Sequence, residues 1–457
     1  MYTQFTRENL RGKDVLVVGM ARSGISAAQL LLALGARVTL NDQRDRDTFE
    51  GALDGFEGRA VFALGQEVGG LYHGRDLILF SSGVPFWSEW IAAARAEGIA
   101  CYNELELGFQ LSQAPFVAVT GTNGKTTTTT LITEIFQNAG KQSFAVGNIG
   151  VPVCTHALEM RPDGILVEEA APFQMISAPS FRPRVSMVLN ITEDHLNWFQ
   201  TMDNYIEKKC LVFARQAGDD VCILNADDPI ASTLGDRPKC KVMWFTHEKH
   251  LLEGAFVKDG VLIVSVDGKE HAICRTEEVR IPGLHNLENA LAASLAAFLM
   301  GVAPEVIAHT LKTFAGVEHR IETVRTLDGI TYINDSKATN PEAAIKAIEA
   351  MRQPTVLILG GSEKYSDFHP MFRAFTPYIQ QIVVLGVTAD AIAKTAQEEG
   401  FTRVHRAYSF EEAVHMARAL AHEGMNVLLS PACASYDMFQ SYEHRGREFK
   451  RLVWEMN

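Results

Sequence analysis

The segment best equipped for chemistry is Gly121-Thr122-Asn123-Gly124-Lys125-Thr126-Thr127. It follows the apolar run 116–120, which predicts a strand, and it opens a Thr-rich stretch that predicts a helix. A glycine-bracketed turn at a helix N-terminus presents backbone N–H groups. Together with a lysine ammonium, these cradle polyphosphate. The Thr126 hydroxyl is a natural Mg²⁺ ligand beside such phosphates. The helix terminus itself offers only about 0.3–1 kcal/mol per charge at exposed sites, so lysine and metal must carry much of the neutralisation. The strict P-loop pattern asks for a further glycine five residues before Gly124, where Val119 stands.

Two more segments bear metal-ligating groups. One is Glu168-Glu169-Ala170-Ala171-Pro172-Phe173-Gln174, the other Asn190-Ile191-Thr192-Glu193-Asp194-His195. Both follow predicted strands, at 164–167 and 185–190, and ligands of parallel sheets gather at the carboxyl ends of strands. Oxygen donors with one histidine suit Mg²⁺ or Mn²⁺. Residue type alone does not separate Glu168 from Glu169. It reads Lys208-Lys209, on a predicted helix over 203–216, as a solvated basic face.

A second glycine turn, Gly19-Met20-Ala21-Arg22-Ser23-Gly24, follows the apolar run 14–19. It resembles a dinucleotide fingerprint with alanine at the middle glycine, and Asp42 ends the next predicted strand, where a ribose-binding acid would lie. The pattern serves a dinucleotide, a sugar nucleotide or a plain structural turn.

Such groups need parallel sheets to position them. Strands are predicted at 14–19, 37–42 and 76–83, with a helix at 23–35 between the first two. A new unit opens near 114–115, with strands at 116–120, 164–167, 185–190 and 221–225. From 241 to 280 the pattern turns short and β-like, with Asp259-Gly260 and Asp267-Gly268 as hairpin signals. Helices fill 286–300 and 304–314. Strands return at 330–334, 355–360, 381–386 and 426–430. The reading is an α/β protein of three units, 1–111, 112–316 and 317–457.

Composition narrows the partners. The 457 residues carry 42 Lys plus Arg against 55 Asp plus Glu, a net charge of −13. That balance gives no general attraction to nucleic acid or anionic membrane. With 47% hydrophobic and 21% charged residues the chain is no disordered polymer. Its 7 cysteines are scattered without a C-x-x-C pair, which fits reduced thiols in the cytoplasm. The N-terminal stretch lacks the apolar core of a signal peptide, and no run of about 18 apolar residues predicts a membrane span.

These motifs together resemble the ATP-dependent Mur ligases, which build the peptide stem of bacterial peptidoglycan. The resemblance rests on the 121–127 turn, on Thr192-Glu193-Asp194-His195-Leu196, and on Pro282-Gly283-Leu284-His285-Asn286 with Asn289. In the third unit, Asn334-Asp335-Ser336-Lys337-Ala338-Thr339-Asn340 and Leu429-Ser430-Pro431-Ala432-Cys433-Ala434-Ser435 resemble the D-glutamate-adding branch. The resemblance covers the whole chain in order. It implies a Rossmann-like N-terminal domain, a central P-loop ATPase-type domain with a small β-sheet, and a Rossmann-like C-terminal domain. It also implies a monomeric cytoplasmic enzyme of cell-wall synthesis. That enzyme joins D-glutamate to UDP-N-acetylmuramoyl-L-alanine through an acyl phosphate.

Residue by residue, the resemblance implies that Arg22, Ser23, Asp42, Ser81 and Asn148 face the UDP substrate. Gly121, Thr122, Asn123, Gly124, Lys125, Thr126 and Thr127 would wrap the ATP phosphates, with Asn286, Asn289, Arg320 and Asp335 as further nucleotide contacts. Thr126 and Glu169 would bind one Mg²⁺, and His195 and Lys209 would sit at a second. In this family the lysine four residues after a tyrosine, here Tyr205, carries a CO₂-derived carbamate, which selects Lys209 over Lys208. Lys337 would neutralise the transferred phosphate. Thr339 with Lys364, and Ser435 with Tyr442, would hold the two carboxylates of D-glutamate.

The chain departs from the family pattern in three places. Glu169-Ala170-Ala171-Pro172 replaces a Glu-x-Ser-Ser run, Asn197 stands for an aspartate, and Glu363 precedes Lys364 where aspartate is usual. Competing readings are a folylpolyglutamate synthase-like amide ligase, a nicotinamide oxidoreductase resting on the 19–24 turn alone, and a GTPase-like switch. The oxidoreductase leaves the 121–127 turn unexplained, and the switch has no use for the Lys, Ser and Thr cluster of the third unit.

Overall fold

A computed structural model describes residues 4–49, 51–194, 196–362 and 366–456. The chain forms two compact units, Met1–Phe314 and Ala315–Asn457. The first unit holds two sheets. The first has strands β1 (Asp14–Val18), β2 (Arg37–Asp42), β3 (Ala60–Leu64), β4 (Leu77–Phe80) and β5 (Ala100–Tyr102). They are all parallel, in the order β3-β2-β1-β4-β5. Strand order reverses between β1 and β4, so a crevice opens there at the carboxyl ends. The β1 run Val15–Val18 is buried on both faces, which is why it reads as continuously apolar rather than alternating. Each such side chain contributes roughly 1.5–3 kcal/mol when fully buried.

The second sheet contains β6 (Phe116–Thr120), β7 (Ser143–Gly147), β8 (Ile165–Glu169), β9 (Val185–Val188), β10 (Gly218–Asn225), β11 (Cys240–Thr246), β12 (Gly254–Lys258), β13 (Val261–Val266) and β14 (Lys269–Arg275). Its order is β14-β13-β12-β11-β10-β9-β6-β8-β7. The central strand β6 therefore ends between β8 and β9, and the phosphate-type turn leaves from that point. The last three strands are antiparallel hairpins. Their turns place Asp259 and Gly260, and Asp267 and Gly268, all at φ between 51° and 73°. Two consecutive left-handed residues are what a two-residue hairpin of matching twist needs.

The second unit carries β15 (Glu322–Leu327), β16 (Ile330–Asn334), β17 (Thr355–Gly360), β18 (Ile379–Leu385), β19 (Val404–Arg406) and β20 (Asn426–Leu429). The order β15-β16-β20-β17-β18-β19 inserts the last strand between β16 and β17. Apolar layers cover both faces of this sheet. The hairpin from β15 into β16 turns at Asp328-Gly329, the same dipeptide signal as before. The predicted helix over 203–216 is shorter than expected: it runs Met202–Cys210, and turns follow it.

Glycine is required at the first turn. Gly19 has φ +86°, and a Cβ there would lie 2.9 Å from Ser81 Cβ. A Cβ built on Gly24 would fall well inside contact distance of the Gly19 carbonyl oxygen. Gly83, two residues past Ser81, has open space around it. Gly19→Ala is expected to lose about 1–3 kcal/mol in urea unfolding, while Gly83→Ala stays within about 0.5 kcal/mol. Equal midpoints for the two variants would contradict this account of the turn.

Candidate active site

The 121–127 turn leaves β6 with Gly121 at φ +156° and Gly124 at φ +83°, the latter capping the helix Lys125–Asn138. A Cβ on Gly124 would collide with the Asn289 amide oxygen. The turn is tied to the loop after β9. Thr122 N donates to Asn190 O at 2.9 Å, Asn123 N to Asn190 Oδ1 at 2.8 Å, and Thr192 N to Thr122 Oγ1 at 3.0 Å. The loop carrying Glu193 and Asp194 is thus held against the turn. His195 itself lies outside the described residues.

Two lysines meet at the turn. Lys125 Nζ donates to Gly121 O and to Thr122 O, both at 2.9 Å. Lys209 Nζ donates to the same Gly121 O at 2.7 Å and lies 4.6 Å over the Tyr205 ring. Lys209 is 1% exposed, whereas Lys208 is half-buried. Burial, then the charge of Lys125, hold the Lys209 ammonium far below the ordinary lysine range, with Asp194 pulling weakly the other way. Sequence reasoning from residue type reads a solvated face here; the structure places Lys209 inside.

Glu168 and Glu169 separate cleanly, because successive strand residues face opposite sides. Glu168 is fully buried under Gly147 and pushed well above the usual carboxylate range by burial, then by Glu104 and Glu169. Glu104 is itself pushed up to about 7 by burial. Glu169 pairs in register with Val119, two residues before the turn. Its Oε1 accepts Asn148 Nδ2 at 2.9 Å. Its Oε2 is buried without a hydrogen-bond partner among the described residues. Thr126 is buried in the first turn of the helix. Pro172 is the first residue of the short helix Pro172–Met175, a position that needs no N–H, and Phe173 behind it packs 5.0 Å from both Trp198 and Phe199. Proline is therefore accommodated there.

Asn286 and Asn289 open the helix Leu284–Leu299. Asn289 Nδ2 donates to Asn286 Oδ1 at 3.2 Å, and Thr128 Oγ1 donates to Asn289 Oδ1 at 3.1 Å. That places Asn289 against the first turn after Lys125.

At the first sheet, Ser23 and Ser81 share a hydroxyl hydrogen bond of 3.1 Å. Arg22 begins the helix Arg22–Ala33 and lies against Gly150, two residues after Asn148. Asp42 accepts Met20 N at 2.7 Å and Arg44 Nε and Nη2 at 2.9 and 2.8 Å. Burial opposes its ionisation, but these donors prevail and hold it down at about 2.

In the second unit, Asp335 is buried. Its Oδ2 accepts Ser430 Oγ at 2.7 Å, and its Oδ1 accepts Ile321 N at 3.2 Å, the residue after Arg320. Burial pushes its carboxyl up to about 7, against the pull of Ser430 and Arg320. Lys337 Nζ stands 5.8 Å over the Tyr442 ring, and Lys337 N donates to His319 O at 3.0 Å. Thr339 N donates to Lys337 O at 2.9 Å, and Ser435 is buried. Lys364 lies outside the described residues. Sequence reasoning missed Arg445, which binds the loops on both sides of this group.

Comparison with known proteins fits this geometry. The Mur ligase middle domain profile matches residues 119–297, and the Mur ligase, glutamate ligase domain profile matches residues 319–433. The chain is 46% identical, over 99% of both chains, to the UDP-N-acetylmuramoylalanine–D-glutamate ligase of Pelotomaculum thermopropionicum. The chain belongs to the Mur ligase family. The enzyme of the same name from Clostridioides difficile is 41% identical over 97% of this Mur ligase and 99% of that one. Among solved structures, UDP-N-acetylmuramate-alanine ligase from Thermotoga maritima superposes with a TM-score of 0.62 at 18% identity, over 97% of this chain and 99% of that one. MurF from Acinetobacter baumannii does so with a TM-score of 0.60 at 18% identity, over 98% and 92%. At such identities the likeness is one of fold. It agrees with an α/β multidomain Mur ligase.

Titration of Asp335 checks the site electrostatics. A ¹³C carboxyl signal is expected to titrate with a midpoint near 7 and to vanish in Asp335→Asn. Because the folded value lies above the unfolded one, folding takes up a proton between them. The stabilising contribution is whole below about pH 4 and is lost by pH 7, at about 1.4 kcal/mol per pH unit. A midpoint near the ordinary aspartate value would refute the burial argument.

Proposed function

We propose that the chain is an ATP-dependent ligase that joins D-glutamate to UDP-N-acetylmuramoyl-L-alanine in peptidoglycan synthesis. The observation that carries this is full-length identity with ligases bearing that name, at 46% over 454 residues. The intact phosphate turn supports it. On this reading the domains are 1–111 for the UDP substrate, 112–316 for ATP and 317–457 for the amino acid. The strand orders of the first and third sheets suit Rossmann-like layers, and the turn after β6 suits a P-loop ATPase-type layer. Seven free cysteines and the absence of a helix able to cross a membrane, among the described residues, suit the cytoplasm.

A carboxylate is a poor electrophile, because its charge repels nucleophiles and oxide leaves badly. The γ-phosphoryl group passes to the muramoyl-alanine carboxylate, ADP departs, and an acyl phosphate forms. The D-glutamate amine attacks the acyl carbon, a proton leaves the nitrogen, and phosphate departs as the amide forms. The protein's part is positioning and charge screening. The turn amides of 121–127 and Lys125 hold the triphosphate. Asn286, Asn289, Arg320 and Asp335 serve the nucleotide. Lys337 faces the transferred phosphate. Arg22, Ser23, Asp42, Ser81 and Asn148 serve the UDP substrate. Thr339, Lys364, Ser435 and Tyr442 serve D-glutamate.

The donor set fits Mg²⁺. A buried carboxylate oxygen without a hydrogen-bond partner, Glu169 Oε2, costs on the order of 1–3 kcal/mol unless something satisfies it. Glu169 and Thr126 would hold one ion, and His195 with Lys209 a second. Bound there, Mg²⁺ supplies neutralisation of phosphate charge. Lys209 suits a carbamate because burial beside Lys125 favours the neutral amine, which is the form that attacks CO₂.

Four measurements test this. With ATP and the UDP substrate, an amino-acid panel read by product mass should show addition of D-glutamate, with phosphate released only when all three substrates are present. Phosphate release without amino acid would refute the reading. Lys125→Ala should lower kcat at least about a hundredfold with an unchanged fold by circular dichroism. Lys209→Ala should be inactive and partly restored by short carboxylates, and CO₂-depleted buffer should slow the unmodified chain. Full activity without CO₂ would remove the carbamate.

A further inference from the structure

The helix Tyr442–Glu455 packs its apolar stripe on the third sheet through Phe449, Leu452 and Val453. Arg445 occupies the same stripe and is 1% exposed, among the largest fully buried side chains of the molecule. Arginine is almost never buried this deeply unless its donors are satisfied. Here Nε donates to Ser336 Oγ at 3.0 Å and Nη2 to Ser336 O at 2.9 Å. Nη1 donates to Cys433 O at 3.1 Å and Ala434 O at 3.3 Å. Ser336 Oγ donates in turn to Tyr442 O at 2.8 Å.

These bonds join two loops that leave different strands. One follows β16 and carries Ser336, Lys337 and Thr339. The other follows β20 and carries Cys433, Ala434 and Ser435. The second loop needs a tie, because Ala432 sits at φ +58°, a conformation that disfavours a Cβ-bearing residue. Its Ala434 carbonyl is also held by Ser362 N at 2.9 Å.

We infer that Arg445 is a positioning residue for the amino-acid subsite, fixing the distance between the Lys337–Thr339 loop and Ser435. This rests on the D-glutamate reading above. A dicarboxylate with its two charges a set distance apart needs donors on both loops at a matching separation. A planar fork reaches the four acceptors on both loops from three separate nitrogens, whereas a lysine ammonium offers its donors from a single point. Its hydrogen-bond acceptors are three carbonyls and a hydroxyl, and Asp437 and Asp335 act on the guanidinium only through space, so part of its positive field reaches the loops, where an acidic amino acid would bind. Burial lowers its pKa to about 10, so it stays charged at neutral pH.

The test is initial-rate kinetics of the full chain with each substrate varied in turn. In Arg445→Lys, KM for D-glutamate should rise at least tenfold, with KM for ATP and for UDP-N-acetylmuramoyl-L-alanine within twofold. Ser336→Ala removes one of the four acceptors and keeps the guanidinium, so it decides the matter if the lysine variant does not fold; KM for D-glutamate should rise at least threefold with the same split. An unchanged KM for D-glutamate in the folded variant, or equal changes in all three KM values, overturns the inference. Failure of the unmodified chain to consume D-glutamate would instead overturn the substrate reading.

Discussion

Two lysine side chains share one carbonyl oxygen, and the first unit is organised around that fact. Lys125 and Lys209 both donate to Gly121 O, so their nitrogens are no more than about 5.6 Å apart. At an effective dielectric of about 20, two ammonium charges at that distance repel by about 3 kcal/mol. Lys209 is also buried, which penalises its charge again. The arrangement holds only if Lys209 gives up its proton, if an anion lies nearby, or if the amine is converted to an anion. All three routes suit the triphosphate site proposed for this turn. The same carbonyl belongs to the glycine that begins the turn, so the backbone of the turn also fixes both lysines.

Much of this was legible in the sequence because it is local. The run 116–138 declares strand, turn and helix through apolar residues, two glycines and a lysine, and the structure has all three. The Asp-Gly hairpins are equally local, and Asp328-Gly329, which the sequence reading passed over, carries the same signal. Lys209 is different. Its burial depends on the turn after β6, some 88 residues earlier, so no window around it reveals the contact. Helix 202–210 ends where the apolar run Leu211-Val212-Phe213 begins, and Val212 and Phe213 join the core in the turns that follow. Glu168 and Glu169 cannot be ranked by type, yet the pleat of β8 assigns them to opposite faces. Arg445 did leave a trace. It stands four residues before Phe449 and eight before Val453, an arginine in the apolar stripe of an amphipathic helix.

The net charge of −13 says little about where charge does its work. Many acids lie on the surface in ion pairs of modest worth, such as Lys258 with Glu270 and Arg451 with Glu448. Two cations, Lys209 and Arg445, are buried instead. Behind the turn, Glu104 and Glu168 are both driven toward the neutral form, which spares the core two adjacent negative charges. Asp42 takes the opposite course, because Arg44 and a backbone amide reach it directly. Acidity at each position follows from donors within reach, not from composition.

The two units use one device with different cations. In each, a buried positive side chain from a helix is tied to backbone carbonyls of loops that follow parallel strands: Lys209 to Gly121, and Arg445 to Ser336, Cys433 and Ala434. The choice of cation matters. An ammonium loses its proton readily when desolvated, so a lysine at this kind of position becomes a reactive amine. A guanidinium keeps its charge and offers a rigid fork, so an arginine becomes a brace. Burial drives Lys209 far below its ordinary range and Arg445 only to about 10, so the lysine gives up its charge more readily and the arginine stays a cation. Exchanging the two residue types would therefore leave a permanent charge beside Lys125 and a single-point donor where a fork has four acceptors to reach.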